Sequence, residues 1–290
     1  MSESSGPLVS TAWLADHLGA PDVRVVDASY YLPVEAKRGR DVYLEQHIPG
    51  AVFFDIDEIA DASSDLPHML PAPEKFSSRV RKLGLGDGVK IVIYDARGVF
   101  SAPRVWWMFK VFGHRDVAVL DGGLPKWLAE GRPTEEGEVT TRERHFTARM
   151  NSLLVRELDQ MQSNLKHGRE QVLDARDAKR FAGEGEELWP GRRNGHIPGS
   201  KNLPFQQLFQ EDGSLLPAAA LAERFGAAGI DLKKPVVTSC GSGVTAAILS
   251  LGLEIAGARD TAVYDGSWAE WGLPEEDGKE TRPIATGPAT

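Results

Sequence analysis

Pro235-Val236-Val237-Thr238-Ser239-Cys240-Gly241-Ser242-Gly243-Val244-Thr245-Ala246-Ala247-Ile248-Leu249-Ser250-Leu251 is the stretch on which the reading of this chain turns. An apolar, β-branched run ends at a cysteine, two glycines mark a tight turn, and a helix-like apolar segment follows. A strand that turns sharply into a helix sets the sulfur above a helix N-terminus. There, unpaired backbone N–H groups and the positive end of the macrodipole favour an anion. That setting favours a thiolate over a thiol, and the glycines Gly241 and Gly243 let several amides converge on one atom. Cys240 is the only cysteine of the chain; its context argues for a nucleophile rather than an inert core residue.

Working outward, the chain reads as one unit written twice. Val25-Val26-Asp27-Ala28 recurs as Val172-Leu173-Asp174-Ala175, His47-Ile48-Pro49-Gly50 as His196-Ile197-Pro198-Gly199, and Val119-Leu120-Asp121-Gly122 as Val263-Tyr264-Asp265-Gly266. Ile91 to Asp95 matches Val236 to Cys240. So long a period means two whole domains, not a solenoid of short repeats. Within each copy short β-branched runs alternate with helical patterns, which predicts an α/β fold: a parallel sheet flanked by helices. The expected division is a first domain over 8–140, a linker over 141–155, a second domain over 156–276 and a poorly ordered tail over 277–290.

Composition narrows the function classes. With 41% hydrophobic and 26% charged residues among 290, the chain is globular and long enough for two cores. A formal net charge of −9 argues against nucleic acid or an anionic membrane as partner. One cysteine excludes an intramolecular disulfide, no Cys or His spacing suggests a metal site, and no apolar run is long enough for a membrane span. The expectation is a soluble protein of a reducing compartment, the cytoplasm, where a working thiol escapes oxidation.

Cys240-Gly241-Ser242-Gly243-Val244-Thr245 resembles the active-site loop of the rhodanese superfamily, in particular its two-domain 3-mercaptopyruvate sulfurtransferases. His47 to Gly50, Tyr94-Asp95, Ser101 to Phe109, Asp121 to Gly123 and Asp265 to Ser267 resemble further landmarks of that group, in family order. The resemblance implies two tandem rhodanese-like domains and a cysteine that accepts a sulfur atom, holds it as a persulfide and passes it on. Asp95 stands where Cys240 would be in the first copy, so the first domain is expected to be catalytically silent and to wall the active site with the help of its aromatic helix. Ser242 is the expected proton relay. His47 is first a turn residue but resembles a family candidate for proton transfer, with Asp41 a weaker one.

Substrate recognition follows from the loop and the resemblance together. Thiosulfate-specific members resemble a cysteine followed by Arg-Lys, suited to a dianion; here Gly241 and Ser242 are neutral, and a carboxylated thiol such as 3-mercaptopyruvate needs a single charge-assisted clamp. Arg180 matches the family's substrate arginine. Where a second arginine usually stands this chain has Trp189, so Arg193 or Arg192 would have to supply that charge. The amides of Gly241, Gly243, Val244 and Thr245 are expected to hold the persulfide. No cofactor is implied; the sulfur acceptor would be a small thiol, cyanide or a thioredoxin-like protein. A cysteine phosphatase would need an arginine six residues after the cysteine, where Ala246 stands. Thiosulfate sulfurtransferase and a persulfide carrier serving a protein partner remain the alternatives.

Overall fold

Each β-branched run becomes a buried strand, and each strand is followed by a helix that returns the chain for parallel pairing. A computed structural model of the chain describes residues 6–274 and 282–289. Its contacts divide into two units: Met1–Ala62, Leu70–Asn151 and Phe209–Leu215 form the first, and Ser63–Met69, Ser152–Leu208 and Leu216–Thr290 the second.

In unit 1 the elements are β1 (Leu8–Val9), α1 (Thr11–His17), β2 (Val23–Asp27), α2 (Gly39–Glu45), β3 (Val52–Phe53), α3 (Ile56–Ile59), α4 (Pro73–Lys82), β4 (Lys90–Tyr94), α5 (Ala102–Val111), β5 (Val117–Leu120) and α6 (Gly123–Ala129). In unit 2 they are β6 (Val155–Arg156), α7 (Leu158–His167), β7 (Gln171–Asp174), α8 (Ala178–Ala182), β8 (Lys201–Asn202), α9 (Ala218–Ala227), β9 (Val236–Ser239), α10 (Ala246–Ile255), β10 (Thr261–Tyr264) and α11 (Ser267–Trp271). The sheets run β1-β5-β4-β2-β3 and β6-β10-β9-β7-β8, all pairs parallel, so the duplication read from the sequence is a duplication of topology. Strands β4 and β9 lie third in their sheets, and the loops after them leave from the carboxyl edge, where open α/β sheets place their sites.

Helices α5 and α10 follow those two strands and are almost wholly buried. In α5, Trp106, Trp107 and Phe109 are at most 1% exposed, which makes the aromatics core residues. Helix α10 buries every position from Ala246 to Leu253, as a helix apolar on all sides must. The rigid core element after β9 therefore begins where the cysteine loop ends.

Two segments that look featureless in sequence have definite seats. In the expected linker, Phe146 is 2% exposed and stands edge-on to Phe76 and Phe109 of unit 1. One aromatic anchor needs no apolar period, so periodicity could not reveal it. The expected tail is corrected for its later part: residues 282–289 fold back onto unit 2, while 277–281 and 290 lie outside the described residues. His196 and Ala285 exchange a two-way backbone bridge, Trp271 Nε1 donates to the Pro283 carbonyl at 3.0 Å, and Ile284 packs on the core cluster of Met161, Ile197, Trp268 and Trp271. Unit 1 does the same with His47 bridged to Glu135 and Trp127 Nε1 donating to Pro133. The returning segment is thus part of the repeated unit, flagged in both copies by an Arg-Pro pair, Arg132-Pro133 and Arg282-Pro283.

Candidate active site

Cys240 follows the last residue of β9, and its Sγ accepts the Gly243 amide at 3.1 Å. Gly243 has φ +80°, a left-handed conformation that glycine adopts without strain and that swings its N–H back onto the sulfur. The thiol is 1% exposed. Burial alone would suit an inert core cysteine, but the neighbours are polar: Ser242 is 7% exposed, and the Arg176 guanidinium lies close enough for the cysteine to help raise its pKa. Burial opposes that charge most strongly, and Asp174, Glu187 and Cys240 together outweigh it.

The loop is gripped from behind by the turn after β10. Trp268 and Ala269 amides donate to the Cys240 and Gly241 carbonyls at 2.9 and 2.7 Å. Ser267 sits at φ +48°, its Oγ accepting the Cys240 amide at 3.2 Å and donating to the Tyr264 carbonyl at 2.8 Å. The loop therefore starts helix α10 from a clamped cysteine.

Arg180, at the third position of α8, donates through Nη2 to Glu187 Oε2 at 2.7 Å. Glu187 also takes Arg176 Nη1 at 2.7 Å, and Arg176 pairs with Asp174 at 2.8 Å, giving a buried chain of two guanidinium and two carboxylate groups. A Cβ added to Gly241 would meet Arg180 Nη2 and Trp189 Nε1, each at 3.3 Å, so both side chains reach the cysteine loop. Arg180 Nε is buried without a hydrogen-bond partner.

His68 was not singled out by sequence. Its Nδ1 lies 3.1 Å from Ser242 Oγ, and its ring stands edge-on to Trp189 at 5.8 Å. At φ +61° and 5% exposure it is held in an uncommon backbone conformation inside the segment Ser63–Met69, which groups with unit 2. A signal existed: the offsets between the matched motifs put residues 212–217 of the second copy opposite it, none a histidine, so His68, unlike His47, is not a repeated residue.

A model of the rhodanese-like domain matches residues 10–130 and again 157–273. The chain belongs to the rhodanese family. Among relatives, this rhodanese is 43% identical to the mitochondrial thiosulfate/3-mercaptopyruvate sulfurtransferase 1 of Arabidopsis thaliana, over 92% of this chain and 76% of that one. It is 42% identical to human 3-mercaptopyruvate sulfurtransferase, over 91% of each. Among solved structures, SseA from Escherichia coli, described as a 3-mercaptopyruvate sulfotransferase, superposes with a TM-score of 0.84 at 39% identity, covering 91% of this chain and all of that one. The two-domain α/β architecture expected from the repeat is that of this family.

The remaining sequence candidates of this rhodanese have other partners. His47 is fully buried, stacked on Tyr43, with Nδ1 2.8 Å from the Tyr43 carbonyl and Nε2 3.3 Å from Glu135. His196 stacks on Phe181 with Nδ1 2.8 Å from that residue's carbonyl, the same arrangement in the second copy. Arg193 Nη2 donates to the carbonyls of Trp271 and Arg282, and Arg192 Nε to that of Ala269. These arginines fasten the returning C-terminal segment and α11, a task set by backbone carbonyls that sequence spacing does not display. Asp41 lies exposed in the first turn of α2. Among the described residues no helix is long and apolar enough to cross a membrane.

Proposed function

We propose that this rhodanese is a sulfurtransferase that takes sulfur from 3-mercaptopyruvate onto Cys240, releases pyruvate and passes the sulfur to a thiol or cyanide. The observation that carries the reading is the loop itself: Cys240 Sγ under the Gly243 amide, beside a buried Ser242–His68 pair. The curated relatives named as 3-mercaptopyruvate sulfurtransferases, 42% identical in the human case, support it.

The Cys240 thiolate attacks the donor's sulfur. As the new S–S bond forms, the donor's C–S bond breaks and its electron pair passes to carbon, leaving the enolate of pyruvate. The donor's thiol proton must reach that carbon. Ser242 Oγ, hydrogen-bonded to His68, is placed two residues from the nucleophile to relay it. Arg180 holds the carboxylate so that donor sulfur and thiolate meet in line. An acceptor thiolate then attacks the outer sulfur and Cys240 leaves as the thiolate again; cyanide would leave as thiocyanate.

The silent copy supports a resting place for the outer sulfur. Asp95 Oδ2 accepts the amides of Phe100, Ser101 and Ala102 at 2.8, 2.9 and 2.9 Å, and Oδ1 accepts that of Arg97 at 2.9 Å. The first loop is one residue longer, Asp95 to Ser101 against Cys240 to Thr245, and both carry a glycine at positive φ three residues in, Gly98 and Gly243. Cys240 Sγ takes one amide, and the outer sulfur of a persulfide extends from it as Oδ2 extends in Asp95, toward the amides at Thr245 and Ala246.

The test is intact mass after incubation with 3-mercaptopyruvate: the protein gains one sulfur atom and the Cys240→Ser variant gains none. Loading of the variant, or no loading of the parent, would sink the reading.

A further inference from the structure

Two turns at matching places in the two copies differ by one side chain. After β5 the chain runs Asp121-Gly122-Gly123, after β10 Asp265-Gly266-Ser267, and the third residue sits at φ +55° in the first and +48° in the second. Each turn holds the loop beside it in the same way: the Leu124 amide donates to the Asp95 carbonyl at 3.1 Å, the Trp268 amide to the Cys240 carbonyl at 2.9 Å. At this backbone angle glycine is unstrained and serine is not. A Cβ on Gly123 would fall 1.9 Å from the Gly98 carbonyl oxygen, so the silent copy closes its loop directly against the turn. In the second copy the matching residue carries a hydroxymethyl group, whose Oγ accepts the Cys240 amide at 3.2 Å. Among the described residues the non-glycine positions at positive φ are Ala36, His68 and Ser267, and the last two both bond to the cysteine loop. Strain kept where glycine would remove it points to a task for the side chain.

We infer that Ser267 is a positioning residue for sulfur transfer: its hydroxyl fixes the backbone of Cys240 so that Sγ meets donor and acceptor in line. The inference deepens the sulfurtransferase reading and rests on it. The nucleophile is held at three atoms, its amide by Ser267 Oγ, its carbonyl by the Trp268 amide and its Sγ by the Gly243 amide at 3.1 Å. The Ser267 proton is committed to the Tyr264 carbonyl at 2.8 Å, so the lone pairs of Oγ face Cys240 and the contact keeps one geometry. Ser267 is fully buried and its hydroxyl is taken up by two backbone groups, so what it sets is the place of the sulfur rather than the affinity for a donor. Place matters because both half-reactions pass through the same atom, and a displacement of about 1 Å at a reacting centre costs about 100-fold in rate.

The experiment measures kcat and KM with 3-mercaptopyruvate and with thiosulfate, and the urea unfolding midpoint, for the full chain and for Ser267→Gly and Ser267→Ala. Both variants lose the hydroxyl, but only glycine releases the strain, so Ser267→Gly should unfold at a higher urea concentration than Ser267→Ala. Even so, kcat should fall about tenfold in both and by the same factor for the two donors, with KM within about twofold of the parent. A role in folding alone would instead leave the glycine variant the more active of the two. A Ser267→Gly kcat within about threefold of the parent overturns the inference, as does a loss carried by KM or one that differs more than about fivefold between donors. If the alanine variant does not fold, the glycine variant decides, since glycine already stands at this turn in the first copy. A parent that loads sulfur while Ser267→Gly turns over unchanged removes the role of Ser267 alone. A parent that loads from neither donor removes the sulfurtransferase reading and this inference with it.

Discussion

If Ser242 and His68 move one proton together, removing either should cost nearly as much as removing both. Their contact is a 3.1 Å hydrogen bond between residues 7% and 5% exposed, shielded from solvent that could substitute for either partner. Acid–base assistance of this kind is worth about 10²–10⁴ in rate. Water can still protonate an enolate, so the low end applies: kcat for 3-mercaptopyruvate should fall about 100-fold in Ser242→Ala and in His68→Ala, roughly 2.7 kcal/mol of barrier. The double variant should fall by little more than either single one, giving a coupling energy near 2 kcal/mol, at the upper range for contacting residues. Stability gives the control, because a neutral hydrogen bond contributes only about 1 kcal/mol to folding. The assay is steady-state pyruvate release with a denaturant titration alongside. Additive losses, or a single variant within threefold of the parent kcat, would refute the relay and leave the pair as packing.

Two further predictions concern the fold that holds the site. Asp27 is pushed up to about 6, chiefly by burial, against partial compensation from Ser29 and Tyr94, so between about pH 4 and pH 6 the folded protein keeps a proton that the unfolded chain has released. Stability contributed by this group is full below pH 4 and declines as pH rises through 6, by roughly 3 kcal/mol, and the difference between parent and Asp27→Asn measured by urea unfolding from pH 3.5 to 7.5 should trace that decline; a flat difference would contradict it. Ile284→Ala, in the returning C-terminal segment, should cost about 1–2 kcal/mol because the side chain is half-buried on the unit 2 core; no change in midpoint would mean the segment is not seated there.

The architecture was legible because it was written twice: the recurrence of Val25 to Ala28 as Val172 to Ala175, and of His-Ile-Pro-Gly and Asp-Gly, at nearly constant spacing required two copies of one topology, and Cys240 stood out by standing where the first copy has Asp95. Arg180 was legible through resemblance, and the structure brings it to the loop. His68 was not, because its partner Ser242 is 174 residues away and nothing local to Leu66-Pro67-His68-Met69 marks a site. The roles of Glu187 and Ser267 were missed for a similar reason. Their importance lies in what they hold, two guanidinium groups and one backbone amide, and a side chain that positions another carries no pattern of its own. For Arg193, charge near a site is visible in sequence, while the carbonyls of Trp271 and Arg282 to which its Nη2 donates are not.

The two loops together separate what the fold supplies from what the nucleophile adds. Both copies end a buried central strand, turn through a glycine at positive φ and start a buried helix; the first turns four amides onto Asp95, the second the Gly243 amide onto Cys240. Such a set must be paired, since an unsatisfied buried N–H costs about 1–3 kcal/mol. In the first copy a carboxylate does this permanently: four amides close on Asp95, and although burial raises its pKa, those four bonds pull the other way. That loop is finished and has no use for a ligand. In the second copy a single sulfur accepts one amide, Gly243. On the proposed reading, the persulfide supplies the second acceptor atom that the carboxylate has built in, so that sulfur loading adds a bond to the backbone and unloading removes it. A carrier of sulfur needs that property, a loaded state held by bonds that the backbone already offers and that no side chain has to move to make.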